Sequence, residues 1–104
     1  MAQFIGTNTP LLAAQTYTSK WVSSDYFGSI SGSAFADQPG TLYIEQSGDL
    51  INADISASYP VPANTGSGYV EQLLLPYVRL RFTNTGSNQT VFRLYSRFII
   101  AGMP

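Results

Sequence analysis

The chain has neither cysteine nor histidine in its 104 residues. Without thiols it can build no disulfide framework, no thiolate nucleophile and no Cys-ligated zinc site. Without imidazole it lacks the commonest general base and the commonest metal ligand at neutral pH. Charge is scarce as well. Asp, Glu, Lys and Arg make up 11% of the residues and leave a net charge of −1, against roughly 25% charged residues in an average soluble domain. So small a basic content argues against a nucleic-acid partner, whose phosphates call for a cationic face. No apolar run approaches the ~20 residues of a membrane-spanning helix. Residues 1–6 (Met-Ala-Gln-Phe-Ile-Gly) carry neither the basic start nor the apolar stretch of a signal peptide. The expectation is synthesis in the cytoplasm, with no membrane partner and no cofactor or metal.

What is present is β-chemistry. No segment holds apolar residues at helical spacing, whereas β-branched and aromatic residues alternate with small polar ones between turn residues. Strands are expected at Leu11–Thr18, Tyr26–Ala36, Thr41–Gln46, Leu50–Tyr59 and Tyr69–Leu75, with two more near the C-terminus. Asp37-Gln-Pro-Gly40 and Ser47-Gly-Asp49 read as turns, and Pro60–Gly68 as a loop. About seven strands without helical crossovers define an all-β fold, a single antiparallel β-sandwich of jelly-roll-like or Ig-like strand order. Residues 1–10 are expected to form an extended N-terminal arm and residues 11–104 the sandwich domain. Phe4 and Ile5 on that arm either fray or dock on a neighbouring subunit.

Four of the five basic residues fall in the last two strands, Tyr77–Asn84 and Thr90–Ala101. Side chains alternate across a strand. Val78, Leu80 and Phe82 therefore oppose Arg79 and Arg81, while Phe92, Leu94, Phe98 and Ile100 oppose Arg93, Tyr95 and Arg97. Joined through Thr85-Gly-Ser-Asn-Gln89, the two strands are expected to pair as a β-hairpin with one arginine–tyrosine face. Arg and Tyr are enriched at protein interfaces, so Arg79, Arg81, Arg93, Tyr95 and Arg97 join Phe4 and Ile5 as candidate interface residues.

Catalysis finds little support. The carboxylates Asp25, Asp37, Glu45, Asp49, Asp54 and Glu71 are well spaced in the sequence. Glu45 and Glu71 could converge as a hydrolytic pair, but cross-strand pairing with the arginines is the simpler reading. Ser47-Gly-Asp49 lacks the spaced ligands of a calcium loop. No catalytic residue is assigned. A different reading is a carbohydrate-binding β-sandwich of a phage tail or host-recognition apparatus, with Trp21, Tyr43, Tyr59, Tyr69 or Tyr95 as stacking platforms.

Gly40-Thr-Leu-Tyr-Ile-Glu-Gln-Ser47, Tyr77-Val-Arg-Leu-Arg-Phe-Thr-Asn-Thr-Gly86 and Gln89-Thr-Val-Phe-Arg-Leu-Tyr95 together resemble the strand motifs of small tailed-bacteriophage virion proteins. Where that type continues with an Asp-Gly-x-Asn-Trp turn, this chain has Gly48-Asp-Leu-Ile-Asn52. The resemblance implies a non-enzymatic structural protein of head-decoration (cement) or tail-accessory type. Its implied partners are itself, as a symmetric homo-oligomer with a trimer favoured, and the major capsid protein. Its implied location is the virion.

Overall fold

Alternating apolar and small polar side chains favour extended backbone only if the apolar row finds a second layer to cover it. The computed structural model, which describes residues 5–25 and 27–100, meets that demand with two antiparallel sheets packed face to face. The strands are β1 (Thr16–Thr18), β2 (Val22–Ser23), β3 (Phe27–Ala36), β4 (Gly40–Ser47), β5 (Ile55–Val61), β6 (Ser67–Gln72), β7 (Tyr77–Asn84) and β8 (Phe92–Ile100). The larger sheet runs β1-β7-β4-β5, with β2 following β1 along the same edge of β7. The smaller runs β6-β3-β8. The all-β sandwich read from the sequence is the fold observed.

The core lies between the layers. Leu42, Ile44, Val78, Leu80 and Phe82 come from the larger sheet, and Ile30, Ala34, Ala36, Phe92, Leu94 and Phe98 from the smaller. The rings of Phe82 and Phe92 meet across the interface with centroids 4.7 Å apart. Two glycines make this packing possible. A Cβ on Gly40 would overlap the Phe82 ring, and a Cβ on Gly32 would overlap the carbonyl oxygen of Tyr95. Over Gly32 the Tyr69 side chain crosses to β8 and donates its hydroxyl to that same carbonyl at 2.8 Å. Burial pushes the Tyr69 phenol well above its ordinary range.

The expected β7–β8 hairpin does not form. The two strands belong to different sheets, β7 pairing with β4 and β8 with β3. A hairpin would have left one broad apolar face uncovered, whereas placing the strands in opposite layers sets the two apolar rows against each other. The connection is drawn away from β7 by polar contacts. Thr90 and Val91 donate backbone N–H to the Asp37 carboxylate, and Gln89 Oε1 accepts from Leu11 N at 2.8 Å. The Thr90 hydroxyl bond, followed by those backbone donors, holds the Asp37 carboxyl below its usual range. Asn84, fully buried, donates to the carbonyls of Leu12 and Ser87 at 3.0 and 2.7 Å.

Two other boundaries move. The strand expected from Leu50 begins at Ile55, because Asp49 gathers the chain into a loop. Its carboxylate accepts from the backbone N–H of Asn52 and Ile51, from the Asn52 amide and from the Ser47 hydroxyl. These bonds, led by the Asn52 N–H, hold its pKa far below the usual carboxylate range. Leu50 then takes a left-handed φ of 68°, and Ile51 is left 79% exposed rather than facing inward. At the far end β5 continues through Pro60 to Val61. Its missing N–H is tolerated there because β5 is an edge strand.

The free edge of β6 is closed by side chains from the other layer. Tyr59 donates to Val70 O at 3.1 Å and Gln46 Nε2 to Gln72 O at 2.9 Å, while Gln46 Oε1 accepts from Leu74 and Leu75 N. Two carbonyls of that edge, Val70 O and Gln72 O, are thereby withdrawn from pairing with a second chain. The Tyr59 phenol is pushed up to about 12, by burial first and then by its hydrogen bond to Glu71 and that carboxylate's charge.

Candidate functional site

On the outer face of the larger sheet, β4 and β7 pair Glu45 with Arg79 and Tyr43 with Arg81. Side chains on one face of neighbouring strands stand close enough to interact directly and along the diagonal. Glu45 exploits both contacts. Its Oε1 accepts from Arg79 Nε at 2.8 Å and its Oε2 from Arg81 Nε at 3.3 Å. Each guanidinium also rests on an aromatic ring, Arg79 on Trp21 at 4.2 Å and Arg81 on Tyr43 at 4.0 Å. The order across the face is thus Trp21, Arg79, Glu45, Arg81, Tyr43. The rings and arginines cover Glu45 so well that its side chain is only 8% exposed on what would otherwise be a solvated surface.

Each guanidinium gives its Nε–H to Glu45 and keeps its Nη donors for the outside. The cluster carries one net positive charge and presents two pre-oriented forks suited to carboxylates or carbonyls. Removing the central charge would leave two cations facing one another. We expect Glu45→Gln to cost about 1–2 kcal/mol, less than a fully buried pair because both arginines remain partly solvated. The loss should shrink when salt is added, as urea unfolding at low and high ionic strength would show.

The sequence-derived candidates divide into separate groups. Arg79 and Arg81 lie on this face. Arg93, Tyr95 and Arg97 lie on the outer face of the smaller sheet, on the opposite side of the sandwich. The single arginine–tyrosine face expected from a hairpin is therefore two faces. Ile5 is no surface contact: it is buried in the protein's own core at 4% exposure, with its backbone N–H donated to Ser96 Oγ at 3.1 Å. Thr7 bridges to Leu94 just beyond it, so residues 5–7 line the outer edge of β8. Phe4 lies outside the described residues. Glu45 pairs with arginines across the strands as expected, whereas Glu71 turns toward Tyr59 and accepts its hydroxyl. The two glutamates thus face different environments and do not converge.

Sequence reasoning missed the part played by Trp21 and Tyr43 as rests for the arginines. The outward position of Tyr43, two residues before Glu45, was readable from the alternation. That of Trp21, in the link between two very short strands, was not. The aromatic residues proposed as open sugar platforms are engaged: Trp21 and Tyr43 lie under guanidinium groups, Tyr69 is buried, Tyr59 is bonded to Val70 and Glu71, and Tyr95 is not without a partner.

Fold and surface together define a small β-sandwich domain with an ordered arginine–aromatic face. The family model described as the uncharacterised protein YqxG N-terminal domain matches residues 2–99, and the chain belongs to that family. The uncharacterized protein YqxG of Bacillus subtilis (strain 168) is 35% identical over 95 residues, which cover 86% of this chain and 31% of that protein. Among solved structures, the PBSX exported protein XepA superposes over the whole chain with a TM-score of 0.85 and 26% identity; the match takes in 38% of XepA. The chain spans about a third of the length of these two proteins. A chain from a study of Bacillus endospore appendages, a family of disulfide-linked pili, shares the fold at a TM-score of 0.52 and 11% identity, over 97% of this chain and 92% of that one.

Proposed function

We propose that the domain is a non-enzymatic structural module of a phage-related assembly, acting by surface contact as a decoration or cement subunit. The observation that carries this is the Trp21–Arg79–Glu45–Arg81–Tyr43 array. Its side chains are already stacked and ion-paired, so little rotamer freedom remains to be lost on docking. Arginine and large aromatic residues are also those that most often dominate binding energy at interfaces. The likeness to XepA, a phage-associated exported protein, supports the phage connection and a place on a particle or outside the cell.

In this reading copies associate with each other, as a trimer, and with the major capsid protein. Many modest contacts then add up through multivalency. Purified protein mixed with phage heads, and separately with tails, is expected to co-sediment with heads. Arg81→Ala is expected to weaken that association by about tenfold. A monomer at high concentration that sediments with neither particle would remove the proposal.

A further inference from the structure

One end of the sandwich gathers apolar side chains that the core does not use. It is formed by the loop after β4, the segment between β6 and β7, the turn after β2 and the last residue of β8. Hydrogen bonds tie these pieces together. Ser47 Oγ accepts from Leu50 N, Gln46 Oε1 from Leu74 and Leu75 N, and Ser24 donates to the carbonyls of Leu75 and Pro76. Ile100 completes the set opposite Phe27. Among the described residues, Leu50, Ile51, Leu74 and Ile100 are half of the large hydrophobic side chains that stand exposed. Scattered singly such residues mean little; gathered on one patch they mark a contact. The pair at the tip is held in place. The Asp49 bonds fix its loop, and Leu50 keeps a left-handed φ that an aliphatic residue adopts only under constraint.

The same end is acidic. Segments 24–25, 48–54 and 73–76 carry three carboxylates, Asp25, Asp49 and Asp54, and no Lys or Arg. Asp49 spends its oxygens on its own loop. The exposed carboxylates of Asp25 and Asp54 have no hydrogen-bond or ion-pair partner among the described residues. Two such ends would repel each other, which disfavours a symmetric end-to-end contact. The Trp21–Arg79–Glu45–Arg81–Tyr43 array is the complementary surface on the same chain. It carries charge of the opposite sign, Glu45 takes only the Nε–H groups of its arginines, and its rings add apolar surface.

We propose that the apolar, acidic end of one copy docks on the arginine–aromatic face of the next, a head-to-tail contact between copies of this chain. Leu50, Ile51 and Leu74 meet the Trp21 and Tyr43 rings, while Asp25 and Asp54 take Nη donors from Arg79 and Arg81. The inference rests on the proposed reading that copies associate, and it names the two surfaces that do so. The end looks along the strands and the array looks across them, roughly at right angles. Successive copies therefore turn, and a heterologous contact of this kind closes into a ring when the turns come round. The loss of head binding expected for Arg81→Ala then follows from a broken ring and its lost multivalency.

Size exclusion with light scattering, on the whole chain, tests this. Wild type is expected to form a closed oligomer that added salt weakens. Ile51→Asp changes an exposed side chain and Arg81→Ala leaves Glu45 paired with Arg79, so circular dichroism should show both variants folded. Each alone is expected to associate at least about tenfold more weakly than wild type. Mixed in equal amounts at high concentration, the two should form a heterodimer and nothing larger, because each keeps the surface the other has lost. Arg97→Gln, on the opposite face, is expected to change nothing. A wild-type oligomer untouched by both substitutions, or a mixture that stays monomeric, overturns this contact and leaves association with heads to its own sedimentation test. A monomeric wild type overturns it too. Loss of head binding by Ile51→Asp would then give this end to the particle, and failure of wild type to bind either particle would remove the proposed function as well.

Discussion

Gly32→Ala is expected to be among the most damaging single substitutions in this domain, although it adds only one methyl group. That methyl would overlap the carbonyl oxygen of Tyr95 and lie 2.6 Å from the Tyr69 hydroxyl oxygen. The first obstacle is backbone in the middle of the β3–β8 ladder and cannot swing aside as a side chain can. Either the ladder opens or Tyr69 gives up its bond to Tyr95 O, which leaves a buried phenol without a partner. Overpacking of this kind costs typically 1–3 kcal/mol, and the lost hydrogen bond places the total at about 3 kcal/mol. For a domain of this size that is a fall in Tm of roughly 12–24 °C. Gly48→Ala is the control: nothing lies within 4 Å of a Cβ there, and its Tm should stay within a few degrees of wild type. Equal Tm values for the two variants would show that β3 does not need close approach at Gly32.

Phe82→Ala is expected to cost about 3–5 kcal/mol, the range for emptying a fully buried aromatic site. Phe82 has no exposed surface, packs at a tilt against Phe92 of the opposite sheet and fills the space left by Gly40. The void cannot collapse easily, because its walls are strands tied into two separate ladders. Urea unfolding should show the midpoint falling with little change in slope. The ring also supplies the excluded volume at Gly40, so Gly40→Ala should be less harmful in the Phe82→Ala background than in wild type. A double-mutant cycle would measure that coupling.

The strands themselves were largely legible. Period-two alternation located β3, β4, β7 and β8 to within a few residues, and it put Arg79, Arg81 and Tyr43 outward and Leu42, Ile44, Leu80 and Phe82 inward. Sheet membership was not legible. The inward rows of β7 and β8 fit each other across a core as well as side by side, and what decides is the polar side chains of the connection, above all Asp37 and Gln89. The loop after β4 was misread for a related reason. Leu50-Ile-Asn-Ala continues the alternation, but Asp49 captures two backbone N–H groups that a strand would have needed. The ion pair at the candidate site was half visible: Glu45 as a partner for arginines followed from strand pairing, whereas Trp21 depended on a bend that no periodicity marks.

The route of the chain has a kinetic consequence. It changes sheet after β2, β3, β5, β6 and β7, and β4–β5 is the only pair of successive strands that forms a local hairpin among the described residues. Almost every ladder must therefore wait for a distant segment to arrive, and loops must close before any burial rewards them. Such a chain acquires its structure over milliseconds to seconds rather than microseconds, and no contiguous half of it contains a finished layer. In a crowded, freshly translated pool, the interval before β8 is released and threads beside β3 is when unpaired β3 is most exposed to the wrong neighbour.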